Sequence, residues 1–271
     1  MYEEYNAHIP DIRAYLDRIG IAEIPEPTIE NLNRLIWNHQ MHIPFETIDS
    51  AVFHIPISLR IDDIFEKLIV RKRGGYCHEQ NALLCQLLKD LGYDADSSFG
   101  RIIRGADYRP FATHRTIIVK DPGEDFERFV DVGMGGPLPP AAYPLADGHE
   151  ETWFGTTFRI HRSEEHWWMM CTVGPDGSET RQLELCDIRQ RPEEFIPANY
   201  YCSTSPEHDF THVRIVNQRT GNGILSLMHD HLTIHKGAEK TIIDIPDEET
   251  FFRVVEEYFG MTLTAPEAAS S

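Results

Sequence analysis

At 271 residues, with 41% apolar and 25% charged residues, the chain has the length and mix of a globular protein whose core needs no metal or disulfide staple. No apolar run of about 18 residues is present to cross a bilayer, and the opening Met1-Tyr2-Glu3-Glu4 lacks the basic and apolar pattern of a signal peptide. The 25 basic against 44 acidic residues leave a net charge of −19, a field that repels phosphate backbones and argues against nucleic acid as a partner.

In chain order, residues 1–92 read as helical. Thr28 caps a stretch with Ile29, Leu32, Leu35 and Ile36 at helical spacing, ahead of Pro44. Ile61, Ile64, Phe65, Leu68 and Ile69 mark a second helix that runs into Arg71-Lys72-Arg73 and breaks at Gly74-Gly75. A third opens at Cys77, lines up Leu83, Leu84, Leu87, Leu88 and Leu91, and stops at Gly92. Short β-rich runs follow. Thr116–Val119 and Phe129–Val132 form a candidate hairpin, with further strands at Thr156–His161, Trp167–Val173 and Gln182–Cys186. The tail mixes strands around His212–Val216, Ile224–Met228, His231–His235 and Thr241–Ile245 with a closing helix from Asp247 to Gly260. A small-residue end, Ala265–Ser271, follows. Helices, then strands, then an α/β tail is α+β segregation, with expected domains at 1–92, 93–195 and 196–271.

The charge is uneven. Residues 60–128 hold 12 bases and 12 acids, so an anionic small ligand meets less repulsion there than elsewhere. The five cysteines are widely spaced with no C-x-x-C pair, which reads as reduced thiols in a cytoplasmic protein and gives no structural zinc site. His229, His231 and His235 share one parity and read as an exposed polar strand face, so no metal is expected.

Three residues together suggest chemistry. Cys77 follows Gly74-Gly75-Tyr76 at a helix start, where free N–H groups and the helix dipole favour a thiolate. His114, after Thr113, stands at a strand entry. Asp131 sits in the next strand between Val130 and Val132, where a carboxylate needs a partner such as an imidazole N–H. Nucleophile, base and orienter on separate elements follow triad logic. Taken singly, each has a plainer reading: a small buried cysteine, a satisfied histidine, a strand-terminating aspartate.

At these positions the sequence resembles the arylamine N-acetyltransferase family. The resemblance rests on Ile43-Pro44-Phe45-Glu46, on Arg73-Gly74-Gly75-Tyr76-Cys77-His78-Glu79-Gln80-Asn81, on Thr113-His114, and on Val130-Asp131-Val132-Gly133-Met134-Gly135-Gly136. It implies a papain- or transglutaminase-like fold of helical bundle, β-barrel and α/β lid. It also implies Cys77, His114 and Asp131 as the catalytic triad, and Glu46 paired with Arg73 behind the nucleophile. The chain departs from the family at three places: His78 replaces an aromatic residue, Thr47 an asparagine, and Met134 a phenylalanine. His78 reads as an exposed side chain on the first helical turn, or else as part of a substrate pocket with Phe45, Tyr76 and Met134.

The resemblance implies transfer of an acetyl group from acetyl-CoA to an arylamine, hydrazine or arylhydroxylamine through a Cys77 thioester, with ping-pong kinetics and a role in xenobiotic metabolism. The Cys77 N–H and the Thr113 hydroxyl are candidate oxyanion donors. Arg214, Arg219, Lys236 and Lys240 are candidates for the CoA phosphates. Trp153, Trp167 and Trp168 are expected in the barrel core. An amide synthase fed by a carrier-bound acyl chain, a papain-like thiol hydrolase, and a binding protein with a vestigial triad are the alternatives. No membrane partner is expected, and the protein is expected as a monomer or weak homodimer.

Overall fold

The structure is a computed structural model that describes residues 2–237 and 239–263; the small-residue end at 265–271 lies outside them. The chain begins with α1 (Ile12–Arg18), capped by Asp11, and α2 (Ile29–His42), whose first turn is closed by Thr28 Oγ1 accepting from Asn31 N at 3.2 Å. Leu32, Leu35 and Ile36 of α2 are fully buried, as their spacing predicts. A two-residue strand β1 (Phe45–Glu46) and α3 (Ile48–Ala51) follow. The expected second helix is split. Its first part is α4 (Ile61–Phe65), and Glu66–Val70 winds as a wider π-helical turn. The helix α5 (Cys77–Asp90), which opens at Cys77, buries Leu83, Leu84, Leu87 and Leu88 and ends as Gly92 takes φ 90°.

Eight strands then form one antiparallel sheet: β2 (Ala95–Ile102), β3 (His114–Lys120), β4 (Glu127–Val130), β5 (Tyr143–Pro144), β6 (Glu150–Trp153), β7 (Thr156–Glu164), β8 (Trp167–Val173) and β9 (Glu179–Cys186). Their order is β5-β4-β3-β2-β9-β8-β7-β6. Alternation along β3 explains how it joins two cores. Ile117 and Val119 pack with the leucines of α5, while Ile118 faces a second cluster with Phe129, Met134, Phe158 and Leu185. Trp168 is buried in that cluster, Trp153 packs at its margin, and Trp167 is only half-buried beneath the Arg101 guanidinium. The expected hairpin exists as β3 against β4, with Ile117 opposite Val130. The strand ends at Val130, so Asp131 lies one residue beyond it and not within it.

After α6 (Ile196–Thr204) the chain builds β10 (Ile215–Thr220), β11 (Gly223–Met228), β12 (His231–Lys236) and β13 (Glu239–Asp244), with α7 (Glu248–Phe259) packed on their buried face. Asp247 caps α7, and Gly260 ends it in the left-handed conformation. His229 occupies the β11–β12 turn with φ 54°, so the three tail histidines do not share a strand face. The edge of this five-stranded sheet is β1, which pairs with β10 through Phe45–Asn217 and Glu46–Val216. Thr47 strengthens that seam: its hydroxyl donates to Val213 O at 2.7 Å and accepts from Ile215 N at 3.1 Å. The family's asparagine is thus replaced by a residue with a structural task in this chain.

Candidate active site

Two close approaches set the position of Cys77. A Cβ on Gly74 would lie 2.3 Å from Pro44 O, and one on Gly133 would lie 2.6 Å from Cys77 Cα. Neither glycine has a positive φ. Their role is to let main chain touch main chain, so that β1, the start of α5 and the loop after β4 converge. Cys77 is thereby the first residue of α5 and Gly133 passes directly against it, two residues after Asp131.

His114 begins β3 and its Nε2 lies 2.5 Å from Asp131 Oδ2. Its Nδ1 is left for Cys77, whose charge is among the influences that raise the ring's pKa. All three side chains are buried. Burial pulls the His114 pKa down, but the charges of Asp131 and Cys77 outweigh it and hold the ring up at about 10. At neutral pH the ring therefore carries its proton, and Nε2–H donates to the carboxylate. The other oxygen of Asp131 accepts from Asn81 Nδ2 at 2.9 Å and Gly133 N at 2.7 Å. Asn81 lies one turn beyond Cys77 on α5. Its Oδ1 takes Val132 N at 2.9 Å and its Nδ2 also reaches Arg115 O at 2.6 Å. One asparagine thus ties α5 to β3 and to the loop that carries Asp131.

Behind the sulfur, Arg73 Nη2 meets Glu46 Oε1 at 2.7 Å and Asp49 Oδ1 at 2.8 Å. Two further buried charges, Lys67 and Glu79, join this pair. Thr113 is half-buried, and its carbonyl accepts from Cys202 Sγ at 3.9 Å. Cys202 belongs to the same apolar cluster as Cys77, Phe45 and Tyr76, and burial pushes its thiol far up.

The four expected pocket residues separate. Phe45 stands edge-on to Phe210 in the cluster around Cys77. Tyr76 is buried there, its hydroxyl on Asn199 Oδ1. Met134 points into the barrel core, away from the sulfur. His78 is fully buried, which corrects the expectation of an exposed side chain. It packs against Tyr76 and Phe195, and both ring nitrogens lack a hydrogen-bond partner. Burial, then the nearby Arg115 and His114 charges, hold it neutral, with its pKa well below the usual range.

A cavity of about 320 Å³ opens on the far side of the loop that follows Asp131. Phe45, Val132, Gly135–Leu138, the Trp153–Phe158 hairpin and the start of the C-terminal sheet line it. Gln40, Asn217 and Thr220 belong to this lining, and their Oε1, Oδ1 and Oγ1 atoms are enclosed without a hydrogen-bond partner. Arg219 is in the wall. It donates to Leu138 O at 2.7 Å and meets no carboxylate among the described residues, and burial lowers its pKa. The other expected phosphate ligands lie elsewhere: Arg214 pairs with Asp230, and Lys236 and Lys240 are exposed at strand ends.

The model of the N-acetyltransferase family matches residues 28–268. An arylamine N-acetyltransferase of Mycolicibacterium smegmatis is 29% identical over 258 residues, covering 93% of this chain and 92% of the relative. The arylamine N-acetyltransferase / N-hydroxyarylamine O-acetyltransferase of Salmonella typhimurium is 28% identical over 266 residues, covering 92% and 88%. The structure of the Mycobacterium marinum arylamine N-acetyltransferase in complex with CoA superposes with a TM-score of 0.85 at 26% identity, over 93% of each chain. With its fold, its converging Cys77, His114 and Asp131, and a family match over most of its length, the chain belongs to the N-acetyltransferase family.

Proposed function

We propose that the protein moves an acetyl group from acetyl-CoA to an arylamine, hydrazine or arylhydroxylamine through a thioester on Cys77. The observation that carries this reading is the Cys77–His114–Asp131 row, in which the imidazole holds a proton against Asp131 and stands beside the sulfur. The thiolate attacks the donor's thioester carbonyl. Main-chain N–H of Cys77, with the Thr113 hydroxyl, receives the developing oxyanion. His114 gives its proton to the departing CoA sulfur. The amine then attacks the acyl-enzyme, His114 takes the amine's proton, and Cys77 is released as thiolate. Asp131 keeps the ring in place through both halves and remains ionised.

The cavity supports a long donor. Arg219 in its wall is a cation with no carboxylate partner among the described residues, and the apolar part of the lining suits a pantetheine arm. Phe45, Phe210 and Val213 form an apolar wall beside the sulfur that suits a flat acceptor ring. The buried His78 and the inward Met134 reshape the surroundings of that wall but do not alter the triad. The five free cysteines fit a reducing, cytoplasmic setting.

Because a carrier-bound acyl chain presents the same arm, the cavity also accommodates the amide-synthase reading. Acetyl-CoA alone decides between them. A gain of one acetyl group on Cys77, discharged on adding an arylamine, is the expected result. An unlabelled Cys77 would overturn the acetyl-CoA reading and leave the carrier-fed one.

A further inference from the structure

Five ionisable side chains meet behind the first turn of α5, all at least nine-tenths buried. Glu46 comes from β1, Asp49 from α3, Lys67 from the π-helical turn, Arg73 from the approach to α5, and Glu79 from α5 itself. Lys67 Nζ lies 2.7 Å from Asp49 Oδ2, 2.8 Å from Glu79 Oε1 and 3.7 Å from Glu46 Oε1. Arg73 joins Glu46 to Asp49. Three carboxylates face two cations. A dry site with one negative charge in excess favours keeping a proton.

The geometry shows which carboxylate is least supported. Asp49 lies between both cations. Glu46 takes two donors from Arg73 and one from Ile48 N. Glu79 has Lys67 alone as its cation. Burial raises its pKa, Lys67 opposes, and Asp49 and Glu46 push further up, to about 7, while the two cations overcome burial to hold Asp49 at about 2. The phenol of Tyr76 is the remaining titratable neighbour.

Glu79 also holds the nucleophile's helix. Its Oε2 accepts Tyr76 N–H at 3.0 Å, the free donor at the residue before Cys77, while Oε1 takes Lys67. An ionised carboxylate has an oxygen for each donor; a protonated one weakens at least one of these bonds.

We propose that Glu79, braced by Lys67, is a positioning residue for Cys77, and that the cluster's one exchangeable proton loosens the start of α5 when bound and locks it when lost. This rests on Cys77 being the nucleophile.

The test follows two readouts from about pH 6 to about pH 8 in the wild type, in Glu79→Gln and in Lys67→Met. One is the hydrogen-exchange protection factor of the Tyr76 amide. The other is the rate of iodoacetamide alkylation, mapped to Cys77 by mass spectrometry. Wild-type Tyr76 protection is expected to rise about fivefold across this range, the worth of one hydrogen bond. In Glu79→Gln it should stay flat and low, because an amide has one oxygen for two donors. The alkylation profile should lose an inflection near neutral pH in the same variant. Lys67→Met should lower Tyr76 protection at the alkaline end. Constant wild-type protection, or an equal rise in Glu79→Gln, overturns the proposal. The wild-type profile decides the matter alone if the variants do not fold. A Tyr76 response as expected beside a Cys77 that iodoacetamide never labels would overturn the reading of Cys77 and leave the cap intact.

Discussion

The loop from Asp131 to Leu138 separates two polar regions that differ in how fully they are satisfied. On the Asp131 side each carboxylate oxygen has a donor, and the main-chain oxygen of Asp131 accepts from Gln40 Nε2 at 3.1 Å. On the cavity side Gln40 Oε1, Asn217 Oδ1 and Thr220 Oγ1 have none. Gln40 belongs to both: its nitrogen donates to Asp131 O, and its oxygen is enclosed in the cavity wall without a donor. A buried acceptor without a donor costs about 1–3 kcal/mol. The contrast teaches that completed bonds fix the carboxylate beside His114, whereas the cavity wall keeps its enclosed polar atoms unpaired.

The largest expected effect removes the sulfur. Cys77→Ala should lower turnover by about 10⁴-fold or more while the melting temperature stays close to wild type; retained activity would direct attention to Cys85. Asp131→Asn should lower kcat by about 10⁴-fold, since the amide presents the wrong partner to His114. Steady-state rates within tenfold of wild type would take Asp131 out of the mechanism. Asn81→Ala leaves Asp131 Oδ1 and Val132 N each short of a partner, and a loss of about 1–3 kcal/mol in denaturant melts with a kcat tenfold to a hundredfold lower is expected. A kcat loss without a stability loss would show that the bridge acts on geometry alone.

On the other side of the loop, Arg219→Met should raise KM for acetyl-CoA about tenfold with kcat unchanged. A change in kcat instead would mean that the cavity wall and the triad are not separable. The smallest effect is on stability against pH. The His114 pKa is raised from 6.5 to about 10, so the stability it contributes is complete below pH 6.5 and is lost as pH rises through about 10. Urea melts of the wild type should weaken along that limb, and those of Asp131→Asn should weaken less.

Much of this was readable from residue order. Periodicity located α2, α5 and α7, because their apolar positions recur each turn and their ends carry Thr28, Gly92, Asp247 and Gly260. The strand β2 escaped notice. It buries Ser97 and Ser98, whose hydroxyls are satisfied by Arg115 on one side and by Cys186 O and Ile188 O on the other, so an apolar alternation is missing. Pro197 opening α6 and its lack of a polar face hid that helix likewise. The role of Asn81 is not legible in residue order because it depends on Arg115 O, Val132 N and the Asp131 carboxylate, all brought from distant segments. Lys67 did leave a trace: it shares a turn with Ile64 and Leu68, and a lysine on a buried face conflicts with the pattern unless carboxylates await it.

The seam between β1 and β10 bears on how the enzyme comes into being. Thr47 and Val213, joined by a hydrogen bond, stand 166 positions apart. Loops of that length close late. A ribosome must therefore carry the polypeptide well past its midpoint, through β10, before the edge beside Cys77 is sealed.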